Sequence, residues 1–336
     1  MVKFYQASYH REDGFSMIKK EFHYPSADGK TSIHGIRWIP EGKPRAVLQL
    51  AHGVAEYIDR YDPFARWLCE QGFVVTGNDH IGHGTSVAPG AAKLYFGPKG
   101  SWETVVQDIH GLYGITRQKF PGLPYFLLGH SMGSFLARTY LIRYPGTVDG
   151  AILMGTGHMT RPMVSAGLAL AAVYGRRTGW DKPNDIVNRL SFGSYNAIFA
   201  PNRTGFDWLS AYEPNVDAYI ADPLCGGNAS IGLFREMLRG IRFLTDPKNI
   251  RKMNRNTPIL FVSGEMDPVG ECGKGVRRAF EAFQKAGMRS VELKLYPGLR
   301  HEILNEAPED RQKVYDDIAA WLEAHMPARE KAGGRA

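Results

Sequence analysis

The stretch 124–134 limits what this chain can fold into more than any other part of it. An apolar run of strand length, 125–128, leads into Gly129-His130-Ser131-Met132-Gly133, and helix-like spacing of apolar residues follows. Strand, tight turn and helix in this order are the context in which Gly-x-Ser-x-Gly indicates a nucleophilic serine. Both glycines are required because a Cβ would collide with the adjoining strand or helix. The pattern predicts a nucleophile, Ser131, in a strained turn at a helix N-terminus.

Strand-like and helix-like segments alternate on both sides of this motif. Such alternation implies a mostly parallel sheet with helices on both of its faces. A hairpin around Ser26-Ala27-Asp28-Gly29 precedes the alternating part. The predicted strands are 21–28, 31–40, 46–50, 73–76, 125–128, 148–154, 258–263 and 291–296.

The alternation breaks between residues 157 and 245, where aromatic and small residues replace strand-like runs. An insertion of roughly 90 residues is too long for a plain loop. We predict a core of residues 1–156 and 246–326 with an inserted helical cap of residues 157–245. Open α/β sheets bind ligands at the carboxyl ends of their strands, so the cap is expected to supply substrate-binding residues. The Gly-, Lys- and Arg-rich tail, 327–336, is predicted to be disordered.

Composition excludes several classes of protein. The 41 basic and 34 acidic residues leave a net charge of +7 that is scattered, with no basic stripe for nucleic acid. The three cysteines lie far apart and form neither a disulfide framework nor a paired metal site. Residues 1–20 lack the features of a secretion signal, and no apolar run reaches membrane-spanning length. We therefore expect a soluble cytoplasmic protein, and the oligomeric state is left open.

Two residues occupy the positions that a serine nucleophile requires of its partners. A serine hydroxyl is a weak nucleophile near neutral pH and needs an adjacent base, which an acid orients. Asp267 follows the strand 258–263, and His301 follows the last strand. Both are expected at the sheet edge where the serine lies, in the order serine, acid, histidine that accompanies this motif. Asp267 and His301 are thus predicted as acid and base, with Glu265 as the alternative acid.

A tetrahedral intermediate also needs two backbone N–H donors for its oxyanion. One is predicted at Met132, directly after the nucleophile, and the other at Val54, in the loop after the strand 46–50. Other polar residues near these loops are interpreted as loop-bracing groups, with no metal site, because no further ligand cluster accompanies them. These residues are His52, Asp79, His80 and His83.

Two features stay open at this point. Glu56 and Arg60 have the i, i+4 spacing of a helical ion pair, but contact with substrate fits them equally well. The run 163–174 is too apolar for an ordinary exposed cap helix. It fits an acyl tunnel, a transient contact with a membrane surface, or burial against the sheet domain.

With these residues located, the chain resembles the monoacylglycerol lipase and lysophospholipase branch of the α/β-hydrolases over about residues 20–325. The resemblance implies the α/β-hydrolase fold, with a mostly parallel central sheet, flanking helices and an inserted helical cap. It also implies a serine carboxylester hydrolase that cleaves single-chain, lipid-like acyl esters without metal or organic cofactor. The implied site residues are Ser131, Asp267 and His301, with oxyanion donors at Val54 and Met132. The motifs that carry the resemblance are 52–56 with 60–61, 78–84, 129–133, 267–268 and His301.

Two alternative functions remain. A peptidase or amidase of the same fold uses the same triad, and a cap lined with carboxylates that hold a peptide amine would favour it. The second alternative is a ligand-binding protein that keeps the fold without turnover. The intact set of three candidate residues argues against this second alternative.

Overall fold

In the computed structural model, residues 3–12 and 15–327 are described, and within them nine strands form one sheet. The predicted disordered tail lies outside this part of the chain except for Pro327. The strands are Lys3–Glu12 (β1), Phe15–Pro25 (β2), Ser32–Pro40 (β3), Ala46–Ala51 (β4), Phe73–Asn78 (β5), Tyr125–His130 (β6), Gly150–Met154 (β7), Ile259–Gly264 (β8) and Val291–Tyr296 (β9).

The order across the sheet is β1-β2-β3-β5-β4-β6-β7-β8-β9. Strands β4 to β9 pair in parallel, and β1, β2 and β3 add an antiparallel edge. The predicted mostly parallel sheet is confirmed, but β1 was not predicted and β2 starts at Phe15 rather than at residue 21. Antiparallel strands at a sheet edge do not need a continuous apolar run, so their sequence signal is weak.

Burial separates the central strands from the edge. Strands β4, β5, β6, β7 and β8 are buried at every position, as expected for parallel strands covered on both faces. Exposure alternates along the edge strand β9, where Glu292 and Lys294 face solvent. The apolar runs thus identified the centre of the sheet.

Helices cover both faces of the sheet and build two apolar cores. One core contains residues of α2, α3, α7 and α9, and the other contains residues of α1 and α10. The helices are Asp62–Glu70 (α1), Ser101–Lys119 (α2), Met132–Arg143 (α3), Arg161–Thr178 (α4), Asp185–Phe192 (α5), Glu213–Ala221 (α6), Ile231–Leu244 (α7), Pro247–Ile250 (α8), Lys274–Lys285 (α9) and Pro308–Ala324 (α10).

The segment between β7 and β8 is helical, so the predicted inserted helical cap is present in the fold. Some helices of this segment pack against the sheet domain. In α7, the buried Glu236 accepts a hydrogen bond from the N–H of Gly100 at 2.8 Å, which anchors α7 to the start of α2. Helix α4 is more exposed, with Met163 and Val173 open to solvent. None of the helices in the described part of the chain is long and apolar enough to cross a membrane.

The tight packing of the turn between β6 and α3 gives the first testable prediction. A Cβ on Gly133 would lie 1.9 Å from the carbonyl oxygen of Ala51, which is backbone and cannot rotate aside. Gly133→Ala is expected to lower the free energy of unfolding by about 3 kcal/mol or more. Urea titration followed by circular dichroism measures this loss.

Gly114→Ala is the matched control, since this glycine also lies in a helix but a Cβ there would meet no atom within 4 Å. Helix propensity predicts a gain of up to about 1 kcal/mol for this variant. Equal stability of the two variants would contradict the packing described here.

Candidate active site

The turn after β6 holds Ser131 in a backbone conformation that few residues with a side chain adopt. Its φ and ψ are 53° and −121°, directly before the first residue of α3. The N–H of Ser131 donates to the carbonyl of Met154 at 2.9 Å, which fastens the turn to the end of β7. A Cβ on Gly129 would lie 2.3 Å from the carbonyl oxygen of Gly133, so the helix can follow the strand this closely only with glycine there. The strain is therefore localised at the candidate nucleophile.

The structure brings the candidate acid and base together. Nδ1–H of His301 donates to Oδ2 of Asp267 at 3.0 Å. The carboxylate is fully buried and also accepts the hydroxyl of Ser263 at 3.1 Å and the N–H of Val269 at 2.9 Å. These bonds hold the acid in one orientation. The alternative acid, Glu265, is exposed and forms no hydrogen bond with the imidazole within the described residues.

Ser131 and His301 line the same cavity of about 520 Å³. Between residues 15 and 327 no hydrogen bond joins the Ser131 hydroxyl to the imidazole. His301 and His130, the residue before Ser131, are both close to Gly155, since a Cβ there would lie 3.1 Å from Cε1 of His301 and 3.1 Å from the ring of His130. Nucleophile–base hydrogen bonds are often long before substrate binds, so this arrangement is compatible with proton transfer.

The loop after β4 carries the candidate oxyanion donor Val54. Neither its N–H nor that of Met132 donates to an acceptor in the described part of the protein. The loop is held at its ends by other bonds: Glu56 Oε1 accepts the N–H of Gly53 at 2.5 Å, and the carbonyl of Ala55 accepts the N–H of Gly226 at 2.8 Å. The two candidate N–H groups are thus left available to a ligand.

The histidines behind this loop contact one another rather than the cavity. The N–H of His80 donates to Nε2 of His52 at 2.9 Å, and the two rings lie 4.1 Å apart. Burial, together with the neighbouring His83, lowers the pKa of His80 to about 3, so it is neutral at neutral pH. Asp79 accepts the N–H of Ile58 at 2.9 Å. Among residues 17–189 and 193–327, whose side chains are described, no group of three or more His, Cys, Asp or Glu residues is arranged to hold a metal ion.

A buried histidine that the sequence reasoning did not assign, His130, connects the nucleophile turn to the loop of His301. Its Nδ1–H donates to Glu56 Oε1 at 3.0 Å, and its Nε2–H donates to the carbonyl of His301 at 3.2 Å. The Tyr61 hydroxyl donates to the same Glu56 oxygen at 3.0 Å. Burial alone would lower the pKa of His130, but the hydrogen bond to Glu56 and the charges of Glu56, Glu302 and Asp267 together raise that pKa. Both ring nitrogens have acceptors, which suits the imidazolium form.

Arg60 extends this group of buried charges to the residue after the candidate base. Its guanidinium binds both oxygens of Glu302, at 2.6 and 2.7 Å, and one oxygen of Glu56 at 3.2 Å. Asn215, in α6, donates to Glu302 at 2.9 Å. Burial alone would raise the pKa of Glu302, but the charge of Arg60 and the hydrogen bonds from Arg60 and Asn215 together lower it to about 2. The ion pair of Glu56 and Arg60, one of the two alternatives left open by their spacing, is present, and Glu56 and Glu302 also line the cavity.

We call these residues the buried charge network: Glu56, Arg60, Tyr61, His130, Asn215 and Glu302. It joins the oxyanion loop, the nucleophile turn, the base loop and the cap. The sequence pointed to its centre through the spacing of Glu56 and Arg60. Its remaining members come from distant parts of the chain, and only the fact that His130 and Glu302 adjoin candidate catalytic residues pointed to them.

Cap residues form the outer wall of the cavity. The indole of Trp208 lies against the imidazole of His301, with ring centres 5.1 Å apart. The lining residues contributed by the predicted cap are Asp185, Asn188, Arg189, Gly193, Gly205, Phe206, Trp208, Leu209, Tyr219, Gly227 and Asn228.

The buried charge network gives a prediction for stability. Glu302→Gln removes one partner of a buried ion pair and leaves the Arg60 charge poorly compensated. The free energy of unfolding is expected to fall by about 3–5 kcal/mol at pH 7. The control Glu103→Gln loses a surface ion pair with Arg143; the side chains of Glu103 and Arg143 are 39% and 41% exposed. This control should change the free energy of unfolding by less than about 1 kcal/mol.

The same pair also predicts a pH dependence. Because folding lowers the pKa of Glu302 from 4.5 to about 2, its contribution is complete above 4.5 and is lost as the pH falls toward 2. The stability of the unsubstituted protein should therefore fall more steeply over this pH range than that of Glu302→Gln. Parallel curves of unfolding free energy against pH would rule out this role for Glu302.

The chain is similar to known hydrolases over most of its length. Residues 42–308 match the family described as serine aminopeptidase, S33. The monoacylglycerol lipase of Mycolicibacterium smegmatis is 31% identical, over 93% of this chain and 99% of that protein. The monoglyceride lipase of Homo sapiens is 28% identical, over 89% of each chain. A thermostable carboxyl esterase of Bacillus coagulans, solved with glycerol, superposes with a TM-score of 0.83 at 28% identity, over 91% of this chain and 98% of that one.

These similarities extend through the sheet, the candidate catalytic loops and the cap. The chain therefore belongs to the serine aminopeptidase S33 family of α/β-hydrolases, as a monoacylglycerol lipase-like serine hydrolase.

Proposed function

We propose that this protein is a serine carboxylester hydrolase that cleaves single-chain acyl esters such as monoacylglycerols. One observation carries the proposal. The buried Asp267–His301 pair, joined at 3.0 Å, lies at the same cavity as Ser131, which a strained turn presents at the start of α3. An oriented base beside a hydroxyl is the arrangement that nucleophilic ester cleavage requires. The similarity to monoacylglycerol lipases supports the substrate class.

In the proposed mechanism, His301 takes the proton of Ser131 as its hydroxyl attacks the ester carbonyl. Asp267 holds the imidazole in one tautomer and stabilises the imidazolium that forms. The N–H groups of Val54 and Met132 stabilise the oxyanion, and each is worth about 3–4 kcal/mol in the transition state. His301 then protonates the leaving alcohol, which leaves an acyl-enzyme on Ser131. In the second half His301 takes a proton from the attacking water and gives a proton to the Ser131 oxygen as the carboxylic acid is released. No metal or organic cofactor takes part in this mechanism.

The walls of the cavity favour an ester over a peptide substrate. Phe206, Trp208 and Leu209 supply apolar surface for an acyl chain. Three carboxylates also line the cavity, those of Glu56, Asp185 and Glu302, and an aminopeptidase requires a carboxylate for the substrate amine. However, Glu302 is bound bidentately by Arg60, and Glu56 is bound by His130 and Arg60. The charges of these two carboxylates are therefore already compensated. Asp185 is exposed and accepts a hydrogen bond from Asn228 at 2.8 Å. From the compensated pair and the apolar wall we infer that peptides are poor substrates.

The catalytic assignment is tested by kinetics on monoacylglycerol and on p-nitrophenyl esters. Ser131→Ala is expected to lower kcat by about 10⁶-fold. Asp267→Asn should lower it by about 10⁴-fold, because the wrong imidazole tautomer then faces the serine. Glu265→Gln, the control at the alternative acid, should retain the activity of the unsubstituted enzyme. Full activity of Ser131→Ala, or equal losses in the two acid variants, would overturn the assignment.

Two further measurements separate the alternatives. A fluorophosphonate probe labels an activated serine, so unlabelled Ser131 in the folded protein would favour a ligand-binding protein without turnover. A panel of monoacylglycerols, lysophospholipids and aminoacyl amides compares the substrate classes. Faster cleavage of the amides would favour the peptidase alternative.

We further propose that residues 157–245 act as the cap, with α4 as its contact with lipid surfaces. Met163 is 53% and Val173 46% exposed on this helix, whose last turn carries Arg176 and Arg177. Exposed apolar residues next to basic ones suit the boundary between lipid headgroups and acyl chains. Val164 and Ala171, on the other face of α4, are buried, so the apolar run serves packing as well. A cytoplasmic location stays a prediction.

Binding to vesicles tests this contact. Met163→Asp should weaken partitioning onto phosphatidylcholine vesicles by about tenfold, because it removes the burial of one apolar side chain. The control Ala324→Asp adds the same charge at the last residue of α10. The neighbouring Glu323 pairs there with Arg45, directly before β4, so this end of α10 lies at the sheet rather than on α4. Partitioning should stay unchanged. Equal partitioning of both variants in a flotation assay would exclude α4 as the contact.

A further inference from the structure

A second group of charges lies outside the catalytic residues, where the chain passes from β7 into the cap. Arg138, in α3, is completely buried, and its guanidinium donates to the carbonyl of Gly157 at 2.9 Å. Arg278, in α9, donates to the next carbonyl, that of His158, at 3.5 Å. Two guanidinium groups thus approach consecutive peptide units of the segment that leads into the cap.

Several nitrogens of these three side chains lack a partner. They are Nε and Nη2 of Arg138, Nε of Arg278 and Nδ1 of His158, all shielded from solvent and without a hydrogen bond to the protein in the described part of the chain. Buried donors without acceptors are costly, and a buried cation without a counter-charge is more so. The cluster therefore needs acceptors that the protein itself does not supply.

The balance of charge identifies what kind of acceptor fits. No carboxylate within residues 15–327 forms a salt bridge with Arg138, whereas Arg278 pairs with Glu271. Burial, together with the two nearby guanidinium groups, lowers the pKa of His158 to about 4, so this ring is neutral at neutral pH. The guanidinium groups of Arg138 and Arg278 and the carboxylate of Glu271 together carry a net charge of +1. A single monovalent anion would neutralise it.

We propose that Arg138, His158 and Arg278 bind a small inorganic anion of the size of chloride at the junction of the sheet and the cap. Arg278 is 39% exposed and provides the route from solvent, while the aromatic ring of Phe283, 5.7 Å from the Arg138 guanidinium, limits the room for larger anions. Neutral His158 donates through Nδ1–H. The anion stabilises the first segment of the cap against α3 and α9.

This position also touches the loop of the candidate acid. A Cβ on Gly157 would lie 2.7 Å from the carbonyl of Val269, and one on Gly270 would lie 3.1 Å from that of Thr156. The start of the cap thus packs against the residues directly after Asp267. An anion held here stabilises that contact without taking part in the reaction.

The test compares halides with gluconate at constant ionic strength. Bromide should raise the melting temperature of the purified protein in a saturable way, and gluconate should not. Crystals grown in sodium bromide should give an anomalous peak among the three side chains. No halide-specific stabilisation, or an ordered water without bromide at this position, would overturn the proposal.

Arg138→Met should abolish the saturable response. The matched control is Arg37→Met in β3: Arg37 is also completely buried and also has an unpartnered Nε, but it lies away from the cap. This control should keep the bromide response. A response retained by Arg138→Met, or lost in Arg37→Met alone, would contradict the site.

A second pair of variants covers the case in which Arg138→Met does not fold. Arg278→Met removes a charged donor. It should raise the bromide concentration that gives half of the maximal rise in melting temperature (the bromide midpoint) by about tenfold. Glu271→Gln breaks the same surface salt bridge but keeps both guanidinium groups, so the midpoint should stay the same or fall. Equal midpoints in these two variants would count against the site.

Discussion

The whole active site depends on a backbone contact that leaves no room for side chains. At the turn between β6 and α3, added Cβ atoms would approach backbone carbonyls to 2.3 Å at Gly129 and 1.9 Å at Gly133. Strand β6 lies between β4 and β7, so this turn adjoins both the oxyanion loop and the entry to the cap. The close approach raises Ser131 above the sheet edge. The other candidate catalytic residues, Asp267 and His301, follow β8 and β9 at the same edge of the sheet.

The loops that carry those groups are held by charge rather than by apolar packing. Glu56, His130, Arg60 and Glu302 are almost completely buried and bind one another across three loops. Burying charges is costly, and an apolar cluster of the same volume would often be as stable. Bidentate and charge-assisted hydrogen bonds have a geometric requirement that apolar contacts lack. The network therefore fixes the relative positions of the loop of Val54, the candidate nucleophile Ser131 and the candidate base His301.

The cap is attached to the core unevenly. Near the cavity it is fastened to the base loop: the N–H of Glu302 donates to Leu209 at 2.7 Å, and the hydroxyl of Ser210 donates to Glu306 at 2.6 Å. This part keeps Trp208 against His301 and forms a fixed wall. Helix α4 instead turns apolar residues outward. One inserted segment thus combines a close contact with the candidate base and an exposed apolar helix.

The sequence by itself determined the parallel part of the sheet, the inserted helical cap and the candidate triad of Ser131, Asp267 and His301, but not the antiparallel strand β1. These follow from local rules: apolar runs form central strands, and polar residues after parallel strands meet at one edge. The tertiary structure alone decided how the triad is supported. Asp267 rather than Glu265 meets the imidazole because it is buried and held by Ser263. His130 and Glu302 become structural charges only because Glu56 and Arg60 arrive from elsewhere in the chain. Spacing along a sequence predicts contacts within an element, whereas the protonation state and role of a buried charge depend on partners that folding brings from a distance.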